Sequence, residues 1–272
     1  MPTTRNLVPT VETIIAAKRQ YVAERKAKTP IEAVRALASM QKRPQPILST
    51  VSNDGRVMVV GRIVYSNADN GPDTYDPVGT ALRYARARVD AVALFTDMTL
   101  YQGGLDDLML VSRAVNIPVI SQDYILDEYQ VVETRAAGAS AVMLSASVLD
   151  GVLLRALVSA SQRNRMTAIV QAQNEEELVY ALSLSPHVIG LSKTEPNSRR
   201  LDVDTMARLR PMIPYHTRVM LADPVETFDE VKAIAGLRVD AIMVNEVLLG
   251  DSEKIQRLQA LLNPARSNGE DS

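Results

Sequence analysis

The chain has 272 residues, of which 46% are hydrophobic and 23% charged, and its net charge is −2. That length suits one α/β barrel or two small domains, and the near-neutral charge excludes an electrostatic case for nucleic-acid or anionic-membrane partners. The absence of cysteine and the presence of only two histidines argue against disulfides, thiolate nucleophiles and histidine-rich metal sites. We therefore predict neither a metal nor a cofactor.

The two ends of the chain are polar, and no apolar run reaches the roughly 18 residues of a membrane span. Residues 1–10 are predicted to form a flexible arm and 263–272 a flexible tail. Residues 11–262 are predicted to form one domain, whose N-terminal helices occupy 11–40. Because the N-terminus also lacks the apolar segment of a signal peptide, we expect a cytoplasmic location.

The first of these N-terminal helices spans 11–28 and is amphipathic. Its apolar residues are predicted to face the protein: Val11, Ile14, Ile15 and Val22. Its basic residues are predicted to face water: Lys18, Arg19, Arg25 and Lys26. This basic face is interpreted as solvated and gives no reason to propose an anionic partner.

The stretch 115–144 sets the pattern for the rest of the chain. A short β-branched strand at 117–120 is followed by a helix that Asp127 opens and Gly138 closes, and then by a strand at 141–144. Two short apolar strands joined by one helix form a βαβ unit, which implies parallel pairing.

This unit recurs until eight strands alternate with eight helices. The strands are predicted at 57–64, 91–96, 117–120, 141–144, 167–170, 187–191, 218–221 and 240–244. The pattern predicts a (β/α)8 TIM barrel with extra N-terminal helices. Because such barrels place their sites at the carboxyl ends of the strands, the residues that follow each strand are the candidate site.

Three stretches carry a resemblance to a known family: DMTLYQGGLDDL, IPVISQDYILDEYQ and TRAAGASAVML. They resemble the corresponding segments of indole-3-glycerol phosphate synthase, a lyase of tryptophan biosynthesis, and the similarity runs from about Val11 to Gly250. The resemblance implies a barrel that closes an indole ring with loss of CO2 and water. That reaction requires groups that deliver and remove protons.

The chain departs from the family at the positions that the resemblance assigns to this chemistry. They read Arg62 and Val64 after strand 1, Gln122 after strand 3, Gln171 after strand 5, Ser192 after strand 6 and Ala222 after strand 7. A shift of one residue in strand 1 would place Gly61 and Ile63 there instead. Glutamine cannot exchange a proton near neutral pH, and arginine stays protonated. The scaffold positions thus resemble the family, whereas the positions that the resemblance assigns to its chemistry do not.

The loops that hold the substrate phosphate in the family also differ. After strand 7, Asp223, Pro224 and Glu226 are predicted to be the N-cap, first and third positions of a helix. The carboxylate would then occupy the helix end that a phosphate uses, and proline has no N–H to offer. After strand 8, Asn245 stands where the family has a glycine, and Glu246 follows it.

Three functional interpretations stay open. The leading one is a catalytically inactive barrel that serves as a binding, scaffold or regulatory subunit, with another protein or a second copy of the chain as partner. The second is an active synthase with a rebuilt site and Lys193 as substitute acid. The third is a sensor of a small anionic ligand, in which Arg62 clamps a carboxylate. The mouth residues available for these roles are Arg62, Asp97, Asp123, Lys193, Asp223, Asn245 and Glu246.

Overall fold

A computed structural model of the chain describes residues 10–48, 56–64, 75–97, 103–192 and 201–263. Eight parallel strands pair in chain order, and the sheet closes because β1 pairs with both β2 and β8. The strands are β1 (Met58–Ile63), β2 (Ala91–Phe95), β3 (Val119–Gln122), β4 (Ala141–Ser145), β5 (Thr167–Ala172), β6 (Val188–Leu191), β7 (Arg218–Val225) and β8 (Ala241–Val244). The predicted TIM barrel is confirmed.

In the described ranges, two helices precede β1, and at least one helix follows each strand. They are α1 (Val11–Lys28), α2 (Ile31–Met40), α3 (Pro77–Arg86), α4 (Leu105–Ala114), α5 (Glu128–Ala136), α6 (Gly151–Arg163), α7 (Glu175–Ser183), α8 (Val203–Leu209), α9 (Phe228–Ile234), α10 (Glu246–Leu249) and α11 (Ser252–Leu262). None of the helices in the described ranges is long and apolar enough to cross a membrane.

Local signals set the ends of α5 as predicted. The Asp127 side chain accepts a hydrogen bond of 2.8 Å from the backbone N–H of Tyr129, so it caps the first turn. Gly138 follows the helix with a φ of +96°, a conformation that side chains disfavour. The next strand therefore starts at the position that the sequence indicates.

Strand side chains alternate between two cores, as the pleat requires. Outward-facing residues pack under the helices, whereas inward-facing residues fill the barrel. The inward core includes Val60, Ile120, Ile169 and Met220 at matching levels of the odd-numbered strands. This alternation decides which residues at the strand ends face the mouth.

The prediction that Asp223 caps a helix is wrong. Strand β7 continues through Asp223 and Pro224, with a register shift between Leu221 and Pro224 against β8. Proline is tolerated there because a bulge leaves a position without a ladder hydrogen bond. Helix α9 begins later, where Thr227 accepts from the N–H of Glu230 at 3.2 Å and Glu230 bonds back to the N–H of Thr227. This capping box sets the helix start.

The strand predicted at 117–120 also lies further along the chain, at Val119–Gln122. Gln122 belongs to the ladder because it lies opposite Phe95 of β2. The shift matters for the site, since it makes Gln122 an inward-facing strand residue and not a loop residue.

Candidate functional site at the barrel mouth

A cavity of about 500 Å³ opens at the carboxyl ends of the strands. In each odd-numbered strand, the residue two positions after the inward-facing core residue described above belongs to the cavity wall. Those positions are Arg62 on β1, Gln122 on β3, Gln171 on β5 and Ala222 on β7. The structure therefore brings four of the predicted family positions around one cavity.

The orientation of β1 shows which of its residues face the cavity, and so distinguishes the two alignments that the sequence left open for this strand. Gly61 faces outward: a side-chain carbon added there would lie 2.4 Å from Tyr84 Cδ2, on α3. Ile63 is also buried in the core beneath the helices. Arg62 lies between them and faces the cavity, whereas Val64 is not among the described residues that line it.

The Arg62 side chain stacks on an aromatic ring. Its guanidinium carbon lies 4.7 Å from the centre of the Phe95 ring, and both residues line the cavity. The distance is that of a cation–π contact. A permanent positive charge is thus held at the β1–β2 side of the mouth.

Carboxamides and hydroxyls also line the cavity, including those of Gln122, Gln171, Gln173, Ser145 and Ser147. Gln122 is only 7% exposed, and its Oε1 accepts no hydrogen bond from any residue in the described ranges. The hydroxyls of Ser145 and Ser147 lie 2.7 Å apart and bond to each other. Buried polar groups in native proteins are normally paired, so the open acceptor on Gln122 has capacity for a bound group.

Helix α1 contributes the residue that sequence reasoning missed. Lys18 was predicted to face water, and this is wrong, because its side chain is only 2% exposed. Its Nζ lies 2.6 Å from Asp123 Oδ1 and 3.6 Å from Asp97 Oδ2. The signal was present in the sequence: buried Ile14 and Val22 lie four residues to either side of Lys18, on the same face of the helix.

The surroundings of Asp123 favour its protonated form. Burial raises the pKa of Asp123 from 3.8 to about 6, and the neighbouring Asp97 carboxylate raises it further, whereas the Lys18 ammonium opposes the shift. Thr96 Oγ1 lies 3.3 Å from Asp123 Oδ2 and donates to it. Asp123 is therefore a cavity-lining carboxyl group whose pKa lies near the range in which acids and bases act in enzymes.

This raised pKa predicts a pH-dependent stability for Asp123→Asn. Since folding favours protonation, Asp123 contributes stability that is fully present below its ordinary pKa of 3.8 and is lost as the pH rises to about 6. The variant has no such loss. We expect the free energy of unfolding of the original protein, minus that of the variant, to fall by up to roughly 1.4 kcal/mol per pH unit across this window. Urea denaturation at a series of pH values measures it, and a difference that does not vary with pH would contradict the assignment.

The end of β7 forms the opposite wall, and the ends of β6 and β8 lie beside it. Ser192 donates a hydrogen bond of 2.9 Å to Asp223 Oδ1, and Asp223 and Pro224 line the cavity. Asn245 instead donates to Glu226 Oε1 at 2.7 Å. Glu246 pairs with Arg83 of α3 at the exposed surface, outside the cavity.

Of the predicted mouth residues, the structure brings four together and leaves two aside. Arg62, Asp97, Asp123 and Asp223 line the cavity, whereas Asn245 and Glu246 do not. Lys193, the predicted substitute acid, lies outside the described residues. Within those residues, no group of three or more His, Asp or Glu side chains could hold a metal ion.

Comparison with known proteins agrees with this architecture. The family model described as indole-3-glycerol phosphate synthase matches residues 11–261. Proteins named indole-3-glycerol phosphate synthase from Campylobacter jejuni and Roseiflexus sp. are 25% and 28% identical, covering 93% and 87% of this chain and 99% and 91% of their own. One from Mycolicibacterium vanbaalenii is 29% identical and covers 88% of each chain.

Among solved structures, 3-hexulose-6-phosphate synthase from Salmonella typhimurium superposes with a TM-score of 0.60 and 13% identity, covering 76% of this chain and 98% of that one. Its likeness concerns the fold alone. The family match extends from α1 almost to the end of α11 and includes all eight strands. This chain therefore belongs to the indole-3-glycerol phosphate synthase family.

Proposed function

We propose that this chain is a catalytically inactive member of the family, which serves as a binding subunit by holding a small molecule at its barrel mouth. One observation carries the proposal: the inward positions of the four odd-numbered strands line a single cavity, and none of their side chains exchanges protons near neutral pH. Those side chains are Arg62, Gln122, Gln171 and Ala222.

The contribution that general acids and bases make to a reaction rate supports inactivity. A single general acid or base contributes roughly 10²–10⁴-fold to a rate, so the joint replacement of several leaves little of the family's chemistry. The cavity itself supports binding. Its volume of about 500 Å³ falls within the usual range for small-molecule sites, and its lining combines apolar side chains such as Phe95 and Met143 with polar and charged ones.

An active synthase with a rebuilt site is the second candidate. It is favoured by Asp123, a cavity-lining carboxyl group whose pKa is raised to about 6 beside the Lys18 ammonium. The names of the relatives favour it as well. In this alternative Asp123 would act as the general acid or base, and Lys193 remains a predicted substitute for the family's lysine.

A turnover assay separates the two candidates. We expect the purified protein to form no indole-3-glycerol phosphate from carboxyphenylamino-deoxyribulose phosphate, as followed by fluorescence, because the odd-strand positions have no group that transfers protons. Asp123→Asn and Lys193→Ala should then match the original protein, while an active relative assayed in parallel shows that the substrate is sound. Turnover that drops by at least about 10²-fold in Asp123→Asn would instead establish the second candidate.

A further inference from the structure

We infer that the mouth binds an unphosphorylated carboxylate that also carries a group able to both donate and accept hydrogen bonds. This inference rests on the proposed function and adds the chemical class of the ligand. Three features of the cavity carry it: the cationic side chain of Arg62, a buried carboxamide whose oxygen has no partner among the described residues, and a carboxylate where barrels of this kind commonly hold phosphate.

The cation selects the carboxylate. Among the described residues that line the cavity, Arg62 is the one with a positive charge, since Lys18 lies behind Asp123 and is not part of the wall. A guanidinium presents its N–H donors in one plane, and that plane matches a carboxylate in a two-point contact. The guanidinium carbon of Arg62 lies 4.7 Å from the centre of the Phe95 ring, and this cation–π contact restricts where the charge sits.

The carboxamides select the second group. Gln122 is 7% exposed and its Oε1 has no partner among the described residues, so the acceptor is ready for a donor on the ligand. Gln171 lines the same cavity from β5, two strands away. Because each carboxamide both donates and accepts, a ligand amide or hydroxyl suits this wall better than an apolar group does.

The charges beyond β7 and β8 disfavour a phosphate. Many barrels bind phosphate with the loops after these strands and with a short helix there. Here Asp223 lines the cavity, and Pro224 beside it has no N–H to donate. The Asn245 side chain, which precedes the short helix α10, is held by Glu226 at 2.7 Å. The Asp223 carboxylate and the missing N–H of Pro224 make this corner less suited to a phosphate dianion, whereas Arg62 places a positive charge on the β1–β2 side of the same cavity.

The experiment is a calorimetric titration with a matched pair of probes: carboxyphenylamino-deoxyribulose and its phosphate ester. Both carry a carboxylate, an amine and hydroxyls, and they differ only in the phosphate. We expect the unphosphorylated probe to bind at least about tenfold more tightly. Arg62→Ala and the near-isosteric Gln122→Leu should each weaken that binding by about tenfold or more.

Two controls keep the result specific to the mouth. Arg163→Ala removes an exposed arginine that pairs with Glu128, and neither residue lines the cavity, so the variant's affinity should match that of the original protein. Arg62→Lys keeps the charge without the two-point geometry, so its affinity should fall between those of the original protein and Arg62→Ala. Melting temperatures of all variants, measured without probe, verify that they are folded.

Three results would overturn the inference: equal or tighter binding of the phosphorylated probe, an unchanged affinity in a folded Arg62→Ala variant, or no binding of either probe. Product formation during the titration is a separate outcome. It would refute the proposed inactivity. The ratio of the affinities for the two probes would still test the inferred ligand class separately.

Discussion

Replacing Lys18 with alanine is expected to lower the free energy of unfolding by about 3–5 kcal/mol. The Lys18 ammonium lies within 3.6 Å of two carboxylates that are themselves buried, 2.6 Å from Asp123 and 3.6 Å from Asp97. Removing it leaves the excess negative charge on two side chains that are at most 10% exposed. Since whole domains are stable by only about 5–15 kcal/mol, this loss is a large share of the total.

The matched control lies two turns further along the same helix. Lys26 pairs with Asp127 at 2.8 Å, but the two side chains are 49% and 35% exposed. Lys26→Ala should therefore cost less than about 1 kcal/mol, since water solvates the carboxylate that is left. Urea denaturation of both variants gives the comparison. Equal losses from Lys18→Ala and Lys26→Ala would show that the buried cluster does not hold the helix.

The Lys18 cluster connects the N-terminal helix to the mouth. Val11 at the start of α1 lines the cavity, although it is 46% exposed and not fully packed against the barrel as predicted. Arg25 further along bonds to Glu133 of α5 at 2.6 Å. We expect the loss of Lys18 to loosen α1 and so to remove part of the cavity wall. Ligand affinity and stability should therefore fall together in Lys18→Ala.

The second large effect is expected for Gly61→Ala, a loss of about 1–3 kcal/mol or more. A side-chain carbon at Gly61 would lie 2.4 Å from Tyr84 Cδ2 and 3.2 Å from Leu249 Cδ1, and Tyr84 is only 1% exposed. Neither neighbour has room to withdraw, so α3 must shift away from β1. Because Arg62 is the next residue of this strand, the mouth is disturbed as well.

Gly236→Ala is the matched control for this substitution. A side-chain carbon at Gly236 meets nothing within 4 Å, so the change should stay within about 0.5 kcal/mol. Thermal unfolding of the two variants distinguishes a local clash from a general effect of losing glycine. A stable Gly61→Ala variant would mean that β1 does not pack against α3 as described, and the inward orientation of Arg62 would then lose its support.

The sequence predicts the fold well because the fold rests on local patterns that repeat. Short β-branched runs alternate with amphipathic helices, and end signals such as Asp127 and Gly138 mark where one gives way to the other. Eight strand–helix repeats predict a closed (β/α)8 barrel. The extent of α1, Val11–Lys28, follows from the same periodicity.

Competing local signals explain the errors at the strand ends. Asp223, Pro224 and Glu226 have the pattern of a helix start. Thr227, followed three residues later by Glu230, has such a pattern as well. The choice between them depends on pairing across the sheet. Because Pro224 and Val225 still pair with β8 after the bulge, the second pattern caps the helix.

The composition of the site was harder to predict than its place. The positions after the strands were identifiable, but only the closed barrel shows that Arg62, Gln122 and Gln171 share one cavity. Lys18 was missed because a lysine on an N-terminal helix is usually solvated. Its buried position depends on Asp97 and Asp123, which lie more than 75 residues away in sequence and approach it only after folding.

The central claim is that this mouth binds without turnover, and the most direct measurement uses protein in molar excess over carboxyphenylamino-deoxyribulose phosphate. Excess protein reveals even one slow conversion per site, whatever the rate of product release. We predict that indole-3-glycerol phosphate stays at the level of a heat-denatured control after prolonged incubation. Product that rises in proportion to the protein added, and that disappears with Asp123→Asn, would contradict the claim and establish Asp123 in a rebuilt active site.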